Sequence, residues 1–436
     1  MKNNRYLDYI DSRYEWLGEI PLHWELKRAK WGFQEKSIKG YPEETLLSVS
    51  KGKGVIPRDE LENKTVMAFK DLENFKLVVP EDFVIHLRSF QSGFEMSTNK
   101  GIVSPAYTVF SCGNDLVPKY YKFLFYTQSF IDAIASTTQS LRDGKPIAYK
   151  DFSDMELPYP SLNEQIKIAK FLEVKLARID NLIDMKEKLI LLLNNQRQSI
   201  ITEAVTKGLN PNVKMKDSGV QWIGEIPEHW EVKKLKHLGK FVSGYAFPSN
   251  AFISDGTKVM KINNIQTMNL DWSDISYVAN DWLERFKQYQ LKRGDLVIAL
   301  TRPIISTGIK AAIVDTDEEI LLNQRNAYFR NNKLIPSNWL YYLLLNHSFV
   351  EEFESLIDRT GQQPNISTAD IENIKIPLPS FEEIQQITDY LKDRSTEIEK
   401  IKVNTLIQIE KLKEYRQSLI YEAVTGKIDV REIELD

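Results

Sequence analysis

The sequence predicts an α/β protein of mixed (α+β) domains: two globular domains separated by an antiparallel pair of long coiled-coil helices and related by a pseudo-two-fold internal repeat. Three observations carry this. The stretches WLGEIPLHWELKR (16–28) and WIGEIPEHWEVKK (222–234) are near-copies, 206 residues apart counted from Trp16 to Trp222. A second repeat, PSLNEQIKI from Pro160 and RQSIITEAVT from Arg197, returns as PSFEEIQQI from Pro379 and RQSLIYEAVT from Arg416. Both of its ends are offset by 219 (379 − 160 and 416 − 197). The segments between those ends have helical periodicity and contain neither Pro nor Gly.

The parts follow in order. Residues 1–159 form a first domain that carries the first repeated motif, and 160–207 form a long helix. Residues 208–378 are a linker and a second domain, 379–427 a second long helix, and 428–436 a tail. Each helix opens on a capping box, Ser161 with Glu164 and Ser380 with Glu383, in which serine and acid each satisfy a free backbone N–H. Ile179, Ile183, Ile190, Leu193 and Ile200 recur at three- and four-residue steps and their sums. Ile384, Ile387, Leu391, Ile398 and Ile401, then Ile409, Leu412 and Leu419, do the same with a slip near Thr405. Gly208 and Gly426 follow the helices, where a left-handed residue is commonly needed. About 45 residues make roughly 65 Å of helix with an apolar stripe too narrow to bury alone, so each helix is expected to pair with its twin. Antiparallel pairing brings the C-terminus back near the N-terminus.

The domain bodies, 24–158 and 230–376, match poorly. Both mix short apolar runs (FVI 83–85, LVIAL 296–300) with helical stretches (YYKFLFY 120–126, WLYYLLL 339–345). They share an acid before a strand and an arginine after it, in DFVIHLR (82–88) and DLVIALTR (295–302).

A chain of 436 residues has room for two cores. Hydrophobic residues at 42% and charged residues at 27%, with no apolar run near the ~18 residues that span a bilayer, describe a soluble protein with no membrane partner. MKNNRYLDYI lacks a signal peptide's apolar core, and the single Cys112 excludes an internal disulfide framework; a cytoplasmic location is expected. A net charge of −4 does not decide between partners. The nearest approach to an adenine-methylation motif is SPAY (104–107), read as a turn leading into a strand. No phosphate-binding glycine loop is present, and SKGKG (50–54) is a basic loop. Glu25 with Lys27, and Glu231 with Lys233, lack the preceding acid a metal nuclease needs. The five histidines show no ligand spacing, and His23 and His229 read as turn or packing residues. No catalytic residue, metal site or cofactor is expected in this chain.

The doubled arrangement of GEIP–HWE motifs, PSLNEQ and PSFEE helix starts and RQS(I/L)IxEAVT endings covers nearly the whole chain. It resembles the specificity subunit of type I restriction–modification systems. The resemblance implies two target-recognition domains, each reading one half of a split, asymmetric site in double-stranded DNA, with the helices fixing the spacing. It also implies two methyltransferase (modification) subunits docked on the repeated helices, around their repeated ends from Arg197 to Thr206 and from Arg416 to Thr425, and leaves room for restriction or translocase subunits. AdoMet, ATP and Mg are then expected in those partners. Half-sites on one face of B-DNA lie about 34–36 Å apart or a multiple of it, a span these helices can bridge.

Base edges favour Arg or Lys on guanine and Asn or Gln on adenine, so loops rich in these types are the DNA-contact candidates. In the first domain they are Arg88, Ser89 and Gln91, then Gln139, Arg142 and Lys145, then Tyr149 and Lys150. In the second they are Arg302, then Gln324 and Arg325, then Gln362, Gln363 and Asn365. Arg88 and Arg302 rank first because they recur, although the recurrence suits a phosphate contact or an ion pair equally well. Two other readings stand beside this one: a stand-alone DNA-binding or tethering protein, and an enzyme with an unrecognised site.

Overall fold

The computed structural model describes residues 5–50, 52–61, 71–85, 94–137, 147–331 and 335–434. The chain folds as two compact units, and the division cuts both long helices: one unit is 1–186 with 406–436, the other 187–405. Each unit therefore contains the start of one long helix and the end of the other.

In the first unit an antiparallel sheet runs in the order Phe33–Lys36, Thr108–Cys112, Phe83–Ile85, Phe94–Met96. Strand Glu25–Arg28 of the repeated motif pairs with Glu156–Tyr159, and helices Pro118–Phe125, Gln128–Thr137 and Tyr149–Ser153 complete the body. The second unit has the same plan. Its sheet order is Gly239–Ser243, Asn326–Asn331, Leu296–Ala299, Ala311–Ile313; its motif strand Glu231–Lys234 pairs with Lys375–Leu378; its helices are Ser337–Leu344, His347–Ser355 and Thr368–Asn373.

The central strands read as unbroken apolar runs because both faces are covered. Phe83 and Ile85 face the main core of the first unit while Val84 enters a second cluster; Leu296 and Ile298 face the main core of the other while Val297 enters a second cluster. The two bodies match far better in space than in sequence. At the 219-residue offset Tyr120 corresponds to Trp339, Phe130 to Phe349, Ile134 to Phe353, Phe152 to Ile371 and Leu157 to Ile376, and all ten are fully buried. Large-for-large exchange keeps a core while it erases identity.

The bodies diverge in front of this shared half, where the offset grows from 206 to 219, an insertion of 13 residues. The first unit builds the hairpin Leu47–Ser50 with Gly54–Pro57, and pairs Lys76–Val78 with Gly101–Val103. The second builds a five-stranded sheet in the order Phe252–Ile253, Ser276–Val278, Thr257–Met260, Ile320–Leu322, Gln290–Leu291.

The long helices are Leu162–Lys207 and Phe381–Val424. In the first unit Lys186 Nζ donates to Gln408 Oε1 (2.6 Å) and Arg416 Nε to Asp180 Oδ1 (2.9 Å). One number falls as the other rises, so the segments run antiparallel. In the second unit Arg197 lies 4.0 Å from Glu399, which continues the register. Leu176, Ile179, Leu193, Ile398, Ile409 and Leu419 are buried, while Ile183, Ile190 and Leu412 are half-buried. The expected slip near Thr405 is absent. The seam passes from Ile398 through Thr405, which is 4% exposed and returns its hydroxyl to Ile401 O (2.7 Å). Ile401, expected on the seam, is instead 42% exposed.

The repeated GEIP–HWE motif clasps the start of one long helix and the end of the other within one unit. Glu164, in the first turn of the first long helix, accepts hydrogen bonds from Tyr6 Oη (2.5 Å) and Trp24 Nε1 (3.0 Å) and pairs with His23 Nε2 (3.1 Å). Glu383 of the second accepts from Trp230 Nε1 (3.2 Å) and pairs with His229 (2.8 Å). The capping boxes differ accordingly. Ser380 and Glu383 exchange both bonds, 3.3 and 3.2 Å, whereas Ser161 caps the N–H of Glu164 at 3.4 Å and the Glu164 carboxylate turns into the motif.

The same tryptophans close on the helix ends. Gly426 (φ +76°) and Gly208 (φ +75°) are left-handed caps. A β-carbon on Gly426 would come within 2.3 Å of Pro21 and 3.0 Å of Trp24; one on Gly208 would come within 3.2 Å of Trp230. Gly426→Ala is therefore expected to cost roughly 2–4 kcal/mol, from the left-handed backbone and the backbone-proximal clash together, against about 1–2 kcal/mol for Gly208→Ala. Thermal unfolding of the two variants checks the order, and equal losses would count against the clasp. Ala204, Val205, Ala423 and Val424 are buried, so the repeated EAVT endings are core residues of their own units. Beyond Gly426, Lys427 donates to Leu17 O (3.1 Å) and Arg431 lies over the Tyr6 ring, so the C-terminal residues return to the N-terminal ones.

Candidate nucleic-acid interface

In the second unit the predicted contact residues come from three distant segments that backbone hydrogen bonds stitch into one surface. Central strand Leu296–Ala299 leads into Leu300, whose N–H donates to Arg325 O (2.8 Å) and whose carbonyl accepts Ile366 N–H (2.9 Å). Thr301 bridges to Asn365, and Arg302 N–H donates to Pro364 O (2.8 Å). Thr301 and Pro303 are buried and Arg302 projects; in NQRN, Asn326 is buried while Gln324 and Arg325 project. The loop from 358 to 365 closes through paired bonds between Asp358 and Asn365 (2.8 and 2.9 Å), leaving Arg359 to Gln362 and Pro364 exposed at its tip. Thr360 donates both its hydroxyl (2.7 Å) and its N–H (2.8 Å) to the Asp358 carboxylate, which holds that carboxyl below its usual pKa. Asn365 spends its side-chain amide on Gln363 O (2.9 Å), a loop contact rather than a free reading group.

The face is locally cationic. Arg359 is paired with Glu354 (2.5 Å), but the guanidinium groups of Arg302 and Arg325 have no hydrogen-bond or ion-pair partner among the described residues. Arg302 also takes a left-handed backbone, φ +47°, which costs a residue with a β-carbon about 1 kcal/mol or more. Behind it Lys310 N–H donates to Pro303 O (2.7 Å). The buried Lys310 amine reaches Ile262 O, and burial pushes its pKa down. Free Arg and Gln side chains on a fixed frame suit guanine and adenine edges in a major groove.

Sequence reading missed Tyr245, whose carbonyl accepts Gln324 N–H (3.0 Å). Its ring lies 4.1 Å from Phe286, beside Trp282 with Arg285 over it. The parallel pairing of Thr257–Met260 with Ile320–Leu322 brings these segments together, and no local pattern signals it.

In the first unit Arg88, Ser89, Gln91, Gln139, Arg142 and Lys145 lie outside the described residues. Tyr149 is half-buried, donates its hydroxyl to Phe33 O (2.8 Å) and packs on Phe110 and Phe152, so it anchors its helix; Lys150 beside it is exposed. The acid shared by both domains is a turn-former. Asp82 accepts Val79 N–H (3.0 Å) and Asp295 accepts Lys292 N–H (2.8 Å), three residues back in each case.

SPAY is a turn, with Tyr107 N–H on Ser104 O (3.0 Å), leading into Thr108–Cys112. Glu25 and Glu231 pair with Lys27 and Lys233 (2.7 Å each) on the motif strands. His23 and His229, expected as turn or packing residues, are instead partners of the helix-start glutamates. Among the described residues no group of three or more His, Cys, Asp or Glu is placed to hold a metal ion, and no helix is long and apolar enough to cross a membrane.

One α+β scaffold built twice, each copy clasped to a shared pair of long helices and each with its own divergent front, defines a two-domain DNA target-recognition protein. The sequence profile described as type I restriction modification DNA specificity domain matches residues 227–411. The chain is 33% identical over 421 residues to the type I restriction enzyme MjaVIII specificity subunit of Methanocaldococcus jannaschii, covering 95% of each. It is also 33% identical over 193 residues to the EcoAI specificity subunit of Escherichia coli, covering 44% of this chain and 32% of that one. This protein belongs to the specificity subunits of type I restriction enzymes. Solved structures share the fold. A chain from a study of assembly and conformational transition in the type I R-M system superposes with TM-score 0.71 at 14% identity, covering 94% of this chain and 99% of that one. The HsdS subunit of Thermoanaerobacter tengcongensis gives 0.57 at 15% identity, covering 96% and 99%.

Proposed function

We propose that this chain is the non-catalytic reading subunit of a cytoplasmic complex: each unit reads one half of a split, asymmetric DNA site, and the long helices set the gap and carry two adenine-methyltransferase subunits. The observation that carries this reading is the contrast inside the duplication. Clasps and central sheets are shared, while the Leu47–Pro57 hairpin and the Lys76–Val78 pair of one unit give way to a five-stranded sheet in the other, as expected when one frame presents two different texts to DNA. Arg302, Gln324, Arg325, Gln362 and Gln363 are the reading candidates of the second unit, with Arg88, Ser89, Gln91, Gln139, Arg142 and Lys145 proposed for the first. Exposed Leu182, Met185, Leu189 and Leu192 recur at three- and four-residue steps on the first long helix, and Ile401, Val403, Leu406 and Ile407 are exposed on the second. The stripe on the first long helix suits a partner helix. AdoMet, and ATP with Mg where restriction subunits join, are assigned to those partners.

The test mixes the purified chain with its cognate methyltransferase subunit and maps adenine methylation on random-sequence DNA. Methylation of one split site only when both proteins are present is the expected result. Selective methylation by the methyltransferase alone, or none from an assembled and active complex, would reject the reading.

A further inference from the structure

We infer that Arg302 determines specificity by reading a guanine in the half-site taken by the second unit, presented by a left-handed turn that the 358–366 loop holds in place. The inference rests on the reading of this unit as a DNA-recognition domain. At φ +47° glycine would sit without strain, yet the position carries an arginine, so backbone preference does not explain the residue. Nor does an internal contact, because the guanidinium has no partner among the described residues and the side chain is exposed. What the fold does supply is a fixed base for it. Leu300 is bonded to Arg325 and Ile366, Arg302 N–H to Pro364 O and Pro303 O to Lys310 N–H, all between 2.7 and 2.9 Å. Both neighbours in sequence, Thr301 and Pro303, are buried. A phosphate contact tolerates a mobile cation, whereas two parallel bonds to guanine O6 and N7 require the planar fork to arrive in one orientation. Asp358 faces this turn through Asn365, but its carboxylate is occupied by Thr360, so it leaves the fork free.

The experiment uses the full chain in complex with its cognate methyltransferase and compares Arg302→Gly and Arg302→Lys with wild type on DNA randomised at both half-sites. Arg302→Gly is expected to keep or raise the unfolding temperature, since glycine relaxes the turn, and to assemble normally. Its discrimination should fall about 10- to 100-fold at one base pair of one half-site, with the other half-site still stringent. Arg302→Lys, which keeps the charge and loses the planar fork, should discriminate at the same base pair less sharply than wild type. Two results would overturn the inference: unchanged discrimination in Arg302→Gly, or weakening uniform across sequences, with the salt slope reduced by about one and rescue by lysine, which marks a phosphate contact. If the wild-type complex showed no sequence-selective methylation, the underlying recognition reading would fail, a result distinct from either of these.

Discussion

Glu164→Ala should unfold the first unit far more easily than wild type, with a loss of roughly 3–5 kcal/mol. Glu164 is 3% exposed, and its carboxylate serves three groups from the N-terminal segment: Tyr6, His23 and Trp24. Removing it strands a buried phenol and a buried indole N–H, each of which carries its own desolvation cost, and releases the start of the first long helix from the motif. Burial and the hydrogen bond to Glu164 already push the Tyr6 pKa up, so the phenol stays a donor at every ordinary pH. Glu164→Gln keeps an acceptor oxygen and should lose only about 1–2 kcal/mol. Glu383→Ala should also lose less than Glu164→Ala, because Glu383 is a third exposed and water can replace it at Trp230 and His229. Denaturant unfolding followed by tryptophan fluorescence would rank the three, and a Glu164→Ala loss no larger than that of Glu383→Ala would refute the clasp as the source of the difference.

Lengthening the paired helices by one heptad should change the DNA site without changing what is read. Lys186 pairs with Gln408, so seven residues between Lys186 and Glu187 and seven between Ile407 and Gln408 extend both helices at one level and preserve the seam. The addition is about 10 Å, or roughly three base pairs at 3.4 Å each. Methylation at the original spacing is expected to vanish, while the half-sites themselves are still read as before at a longer gap. Methylation of the original gap by the doubly extended chain would show that the helices are not the ruler.

The repeats are legible in the sequence because they are local and because the same contacts are made twice. Near-copies at Trp16 and Trp222, two capping serines and a constant 219-residue offset were enough for two domains and two matched helices. What a sequence of this kind determines is periodicity, caps and repetition, since each depends on residues within a few turns of one another. Tertiary packing decided the rest. Thr405 is buried and Ile401 exposed because the partner helix sets where the seam runs, not hydrophobicity alone. Glu164 left its capping box because Trp24 and Tyr6, some 140 and 158 residues away in the chain, offered better donors. The equivalence of Tyr120 with Trp339 and Ile134 with Phe353 stayed hidden because a core specifies volume more strictly than identity. Arg302 could be nominated by its place after a strand. Its left-handed turn, its free guanidinium and its union with Arg325 and the 358–366 loop arise only when three segments of chain, distant in sequence, are hydrogen-bonded into one face.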